Sequence, residues 1–124
     1  MNWQFSNDAP IYAQLIGQIR AGIVSGAFSP GERLPSVRDL AMEAGVNPNT
    51  MQRALAQLEN EGLVRTERTA GRYVTEDTAL IEELRAATAR EIAAEFLARM
   101  RGIGYDPAQA AALLEHWDEG KENV

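Results

Sequence analysis

Asn47, Asn49, Thr50, Gln52 and Arg53 crowd into one short part of the stretch GVNPNTMQRALAQLENEGL, residues 45–63. Asn and Gln side chains donate and accept together, which matches the paired acceptor and donor on the exposed edge of adenine. Arginine suits guanine or a phosphate, and a threonine hydroxyl beside the free amides of a first helical turn suits a phosphate oxygen. Asn47 is also a good helix cap, with Pro48 at the first helical position, where a missing N–H costs nothing. The crowding therefore has two readings. Either the helix tip touches nucleic acid, or it is only a well-made cap of a kind that many unrelated helices share.

The surrounding elements decide how such a tip would be held. In IYAQLIGQIRAGIV, residues 11–24, Ile11, Leu15, Ile19 and Ile23 recur every four positions, an amphipathic helix that opens near Pro10 and ends by Gly26. SGAFSPGERLPS reads as turn material. Ser36 and Asp39 then make a capping box in its Asp form, ahead of a short helix with Val37, Leu40 and Ala41 on its buried side and Gly45 at its end. Val46 lies in a tight turn before the Asn47 helix, whose apolar stripe is Met51, Ala54, Leu55 and Leu58. Two helices joined by so short a turn have the spacing of a helix-turn-helix, whose second helix enters the major groove. Residues 63–67 and 72–75 read as strands joined through Arg68, Thr69, Ala70 and Gly71. A hairpin after the recognition helix is the wing of a winged helix. Arg68 and Arg72 flank its tip, facing phosphates or a minor groove, or else a merely solvated surface.

Composition limits the alternatives. The 124 residues are the size of one ordinary domain, or of a small domain with an appendage, and 45% are hydrophobic. The absence of cysteine excludes disulfides, thiolate metal sites and thiol nucleophiles. MNWQFSNDAPIY lacks the features of a signal peptide, and every apolar run is too short to span a membrane, so the expected setting is the cytoplasm, without membrane contact. No grouping resembles a nucleophile, base and oxyanion site, and a phosphate-binding loop is missing, so no enzyme and no cofactor are expected. The net charge of −6 argues against nucleic acid, but the acid excess is concentrated elsewhere: residues 33–72 hold 6 arginines against 5 acids.

Four segments, IYAQL at 11–15, PGERLPSVRDLA at 30–41, GVNPNTMQRALAQLENEGL at 45–63 and AGRYVTED at 70–77, follow one another in an order and spacing that resembles the GntR family of bacterial transcription regulators. The Asn-Pro-Asn-Thr start and the short helical tail are similar to its YtrA-like subfamily. The resemblance implies that Arg38, the arginine of the LPSxR motif, contacts a guanine or the nearby backbone. It places further contacts on Asn47, Asn49, Thr50, Gln52 and Arg53. One arginine usual in the family is absent, because Asn47 and Pro48 replace the common Ser/Thr-Arg pair. The first glycine of the wing's GxG pair corresponds to Thr69, and Gly71 retains the second. Threonine resists a positive φ, so a differently shaped wing tip is expected.

After Asp77 the composition turns rich in alanine, leucine, glutamate and arginine, a long helical pattern over 78–101. Asp106-Pro107-Ala108-Gln109 restarts a helix that should fray at Gly120. Two such helices cannot bury both apolar faces alone. Ile81, Leu84, Ile92, Phe96, Met100, Leu113, Leu114 and Trp117 call for a partner surface, either the chain's own first helix or a second copy. The only histidine, His116, is placed at the surface or at a dimer edge.

The combined expectation is a mostly α fold. Residues 1–77 form a winged helix-turn-helix that binds double-stranded DNA, and residues 78–124 a two-helix tail that forms a homodimer. The function expected is a dimeric repressor on an inverted-repeat operator, released by an unidentified small-molecule effector. The alternative is a winged-helix module that binds protein and has lost DNA.

Overall fold

The computed structural model describes residues 1–118. In chain order it contains α1 (Ile11–Ser25), α2 (Val37–Ala44), α3 (Pro48–Asn60), β1 (Val64–Glu67), β2 (Gly71–Val74), α4 (Thr78–Gly102) and α5 (Pro107–Glu115). The fold is a winged helix-turn-helix followed by a helical tail. Two compact units divide it, Met1–Arg85 and Ala86–Val124.

The first unit is organised around α3. Met51, Ala54, Leu55 and Leu58 are fully buried, and their spacing gives α3 a single apolar stripe. They pack with Leu15, Ile19 and Ile23 of α1, with Leu40 and Ala41 of α2, and with Leu63, Val64 and Val74 of the hairpin. Each fully buried leucine or methionine contributes about 1.5–3 kcal/mol from apolar burial. Outside this core, the Arg20 guanidinium of α1 donates to both carboxylate oxygens of Glu61 at the end of α3, at 2.6 and 2.7 Å.

Both expected N-caps are made, but Asp39 does not return the bond to the Ser36 N–H that the expected capping box would add. Ser36 Oγ accepts from the Asp39 N–H at 3.1 Å, and Asn47 Oδ1 accepts from the Asn49 N–H at 2.7 Å. Between them Gly45 takes φ 72, a left-handed angle that turns the chain at once from α2 into α3. The Val46 N–H then bonds back to the Ala41 carbonyl at 2.9 Å, which fixes the angle between the two helices.

Two features escaped the sequence reading. Residues 31–34 pair with β2 instead of forming a free turn: Arg33 bridges Tyr73, the Leu34 N–H donates to Arg72 O at 2.9 Å, and the Val74 N–H donates to Glu32 O at 2.8 Å. The wing thus has a third, partial strand. The chain before α1 is also fastened down. Gln18 exchanges two hydrogen bonds with the Gln4 backbone, and Gln14 does the same with Ser6. Trp3 and Phe5 rest on the core, and the Met1 ammonium and Trp3 Nε1 both donate to Glu43 of α2. Those two hydrogen bonds, the ammonium first, lower the Glu43 pKa below the usual glutamate value.

The division between units falls inside α4, about two turns past the expected boundary at Asp77. Ile81 is buried in the core of the first unit, Leu84 packs against it, and Arg85 Nε donates to the Val24 carbonyl at 2.8 Å. This corrects the reading of Ile81 as a partner-facing residue, because its side chain is already consumed by its own chain. Leu84 likewise anchors the start of α4.

In the second unit α5 folds back on the remainder of α4. Asp106 and Gln109 complete the expected capping box, each at 2.8 Å, and Ala110 is buried. Helix α5 ends at Glu115 with His116 as its cap, whereas Gly120 and the rest of 119–124 lie outside the described residues.

Leu55→Ala should lower unfolding free energy by about 2–5 kcal/mol in urea titrations, as expected for a leucine lost from a rigid core. A cost well under 1 kcal/mol would contradict a core centred on α3.

Candidate nucleic-acid interface

Burying one stripe of α3 exposes the other. Asn49, Gln52, Arg53 and Ala56 stand three or four positions apart and are all exposed, so they line one face of the helix. Their N-terminal end offers no free amide: Pro48 has no N–H, the Asn49 N–H donates to Asn47 Oδ1, and the Thr50 and Met51 N–H groups donate to the Asn47 carbonyl, so contacts at this tip fall to side chains. Thr50 is half-buried beside this face. Asn47 is exposed, and its Oδ1 already accepts the capping bond from the Asn49 N–H, while its NH2 stays free to donate, which suits a phosphate. Asn49 and Gln52 keep both donor and acceptor.

Arg53 lies over the Tyr12 ring, with its guanidinium carbon 4.6 Å from the ring centre. A cation stacked this way is steadied by the ring while its N–H edge remains open. Tyr12 of α1 is therefore a support for the recognition face, which the sequence analysis did not identify.

The pairing of the arginines separates two populations. Within residues 1–85, Arg20 is bonded to Glu61, Arg65 to Glu67 and Glu76, and Arg85 to Glu82. Among the described residues, Arg33, Arg38, Arg53, Arg68 and Arg72 have no carboxylate within ion-pair distance. Arg38 is exposed on the first turn of α2, Arg53 on the open face of α3 and Arg68 at the hairpin tip. Within the first unit the unpaired positive charge thus lies on the helix-turn-helix and wing, while among the described residues of α4 Arg90, Arg99 and Arg101 are unpaired as well.

At the wing, the Ala70 N–H donates to Glu67 O at 3.3 Å, and Gly71 at φ 101 brings the chain back into β2. No residue other than glycine has a positive φ among those described, so Thr69 sits in the turn without the left-handed angle its position suggested. A side chain at 71 would place its Cβ 3.3 Å from Arg33 Nε. Arg33 and Arg72 both line a cleft of about 530 Å³ between the wing and the start of α2. Arg72 Nε is buried there without an acceptor. The sequence reading named Arg72 but not Arg33, whose PGER context looked like a turn.

Comparison with known proteins agrees with this geometry. Residues 11–74 match the profile of bacterial regulatory proteins, gntR family. The chain belongs to the GntR family. It is 34% identical to the HTH-type transcriptional regulator YhcF of Bacillus subtilis, over 97% of this chain and 99% of that one. It is 42% identical to the B. subtilis transcriptional repressor YtrA over 61% of this chain and 60% of the other, and falls in the YtrA-like group of the GntR family. A GntR family regulator from Listeria monocytogenes superposes with TM-score 0.83 at 36% identity, covering 92% of this chain and all of that one. The DNA-binding domain of AraR, solved in complex with an operator, superposes with TM-score 0.56 at 25% identity over 60% of this chain and 96% of that one. Shared GntR architecture thus extends beyond the winged helix into the tail. No helix among the described residues is long and apolar enough to cross a membrane.

Gly71→Ala should lower stability by about 1–2 kcal/mol and shift the backbone amide resonances of the wing, because alanine resists the left-handed angle. Thr69→Gly should change stability by less than about 1 kcal/mol. Equal responses at the two positions would contradict the turn described.

Proposed function

We propose that the chain is a sequence-specific transcription regulator, a dimeric repressor that holds an inverted-repeat operator. The observation that carries this is the open face of α3, where Asn49, Gln52 and Arg53 are exposed, aligned and held by the short turn from α2. Base-edge readout falls to Asn49, Gln52 and Arg53, with Arg38 at a guanine or the adjoining backbone. Asn47, Thr50, Arg68 and Arg72 position the protein on phosphates, and the turn at Thr69 and Gly71 carries the wing to the duplex. The wider family supports this assignment, since AraR is solved on an operator and YtrA is a repressor.

Support for a homodimer comes from the second unit. Ile92, Leu114 and Trp117 are 61%, 58% and 52% exposed, and Leu113 is 39% exposed. Phe96 and Met100 line shallow apolar grooves beside Ile92. A second copy of the same surface would cover these side chains and join two modest DNA-binding units, raising affinity through effective concentration. Residues 86–118 supply this surface, with Ile81 and Leu84 left to the first unit. Release from the operator is assigned to a small-molecule effector that favours the unbound arrangement.

Selection from a randomised duplex library should enrich an inverted repeat bound by the wild type and lost in Arg38→Ala and Gln52→Ala. No enrichment, with weak binding indifferent to both changes, would sink the DNA reading and favour the protein-binding module that the net charge of −6 suggests. Ile92→Glu should convert a sedimenting dimer to a folded monomer and weaken operator binding by about 100-fold or more. Persistence of the dimer would move its interface elsewhere.

A further inference from the structure

The cleft between the wing and α2 contains chemistry that base readout does not use. It is lined by Arg33, Ser36, Asp39 and Arg72, with Gly71 at its edge. Neither arginine has an ion-pair partner among the described residues, although Asp39 shares the cleft. The Asp39 N–H is taken up by Ser36 Oγ. Arg72 is half-buried along the cleft, its Nε meets no acceptor in the protein and its charge is unpaired, so an oxyanion in the cleft would supply the charge-assisted partner the guanidinium lacks. Arg33 is held at the spot by backbone pairing with β2, and Gly71 leaves room for its guanidinium. Both arginines are thereby placed by the wing sheet itself, unlike Arg68 at the hairpin tip.

We propose that this cleft is a phosphate-binding subsite in which Arg33 and Arg72 together hold one backbone phosphate of the duplex, seating the base of the wing. The inference rests on the DNA-binding reading and adds Arg33 to the residues that touch the nucleic acid. A phosphate contact carries no sequence information, so its signature is uniform affinity loss with a shallower salt dependence.

The test uses the full chain, with anisotropy titrations on the selected operator and on a random duplex at several salt concentrations. Arg33→Gln and Arg72→Gln should each weaken binding to both duplexes by the same factor, roughly eightfold at 0.1 M salt. Each should also reduce the slope of log K against log [salt] by about 1. Arg33→Lys keeps the charge and should keep the slope. Thermal melts and amide spectra confirm that the variants are folded. In a parallel arm, inorganic phosphate is titrated into the DNA-free protein while the Arg72 Nε–H resonance is followed. Saturable binding there, combined with unchanged slopes in both glutamine variants, would overturn the backbone source in favour of a free anion. Unchanged slopes without phosphate binding would overturn the subsite altogether. In either case loss of operator binding in Arg38→Ala would leave the regulator reading standing. A wild type that binds no duplex would remove both.

Discussion

One face of α3 must be buried for this protein to hold together, and that constraint orders the rest. Met51, Ala54, Leu55 and Leu58 are inaccessible to solvent and meet α1, α2 and the hairpin at once. Rotating α3 about its axis would expose them at several kcal/mol, so the helix has one permitted orientation. The opposite face, with Asn49, Gln52 and Arg53, is therefore presented at a fixed angle, and only Arg53, stacked on Tyr12, is steadied further. The left-handed Gly45 and the bond from Val46 to Ala41 set that angle relative to α2. Arg38 on α2 and the stripe on α3 are in this sense products of the same core.

Electrostatics follow a similar division of labour. A net charge of −6 opposes approach to a polyanion, and only the arrangement of charges overcomes it. Glu61 ties the end of α3 to α1 through Arg20, whereas Glu67 and Glu82 neutralise arginines of their own elements and Glu76 neutralises Arg65 of β1. Exposed pairs of this kind contribute little to stability, typically under about 1 kcal/mol, but each keeps a carboxylate close to a cation. Within residues 1–85 the arginines left without partners lie on α2, α3 and the wing. Local positive potential therefore survives in a protein whose total charge has the wrong sign.

Much of the fold was legible because its signals are local. The four-residue spacing in α1, the Ser36 and Asn47 caps, the Asp106–Gln109 box and the glycine after the second helix each act within one or two turns of chain. What escaped was non-local or ambiguous in period. Arg33 joins the sheet only because β2, forty residues later, offers it a free edge. Gln14 and Gln18 stand between the apolar positions of α1 and carry no local signal of a partner, yet their amides fasten the segment before it. Ile81 and Leu84 share the composition of the tail, and no local pattern shows that the first two turns of α4 pack with the winged helix.

The sequence by itself determined the element types, the turn between α2 and α3, and which residue types stand at the tip of α3. Those properties depend on backbone angles and on periodicities that a short segment carries within itself. Tertiary structure alone decided which of the candidates are available. It used the Asn47 oxygen for a cap, stacked Arg53 on Tyr12, buried Ile81 and gathered Arg33 with Arg72 in one cleft. Each outcome depends on which distant side chain fills the neighbouring space, and close packing settles that only when the whole unit assembles.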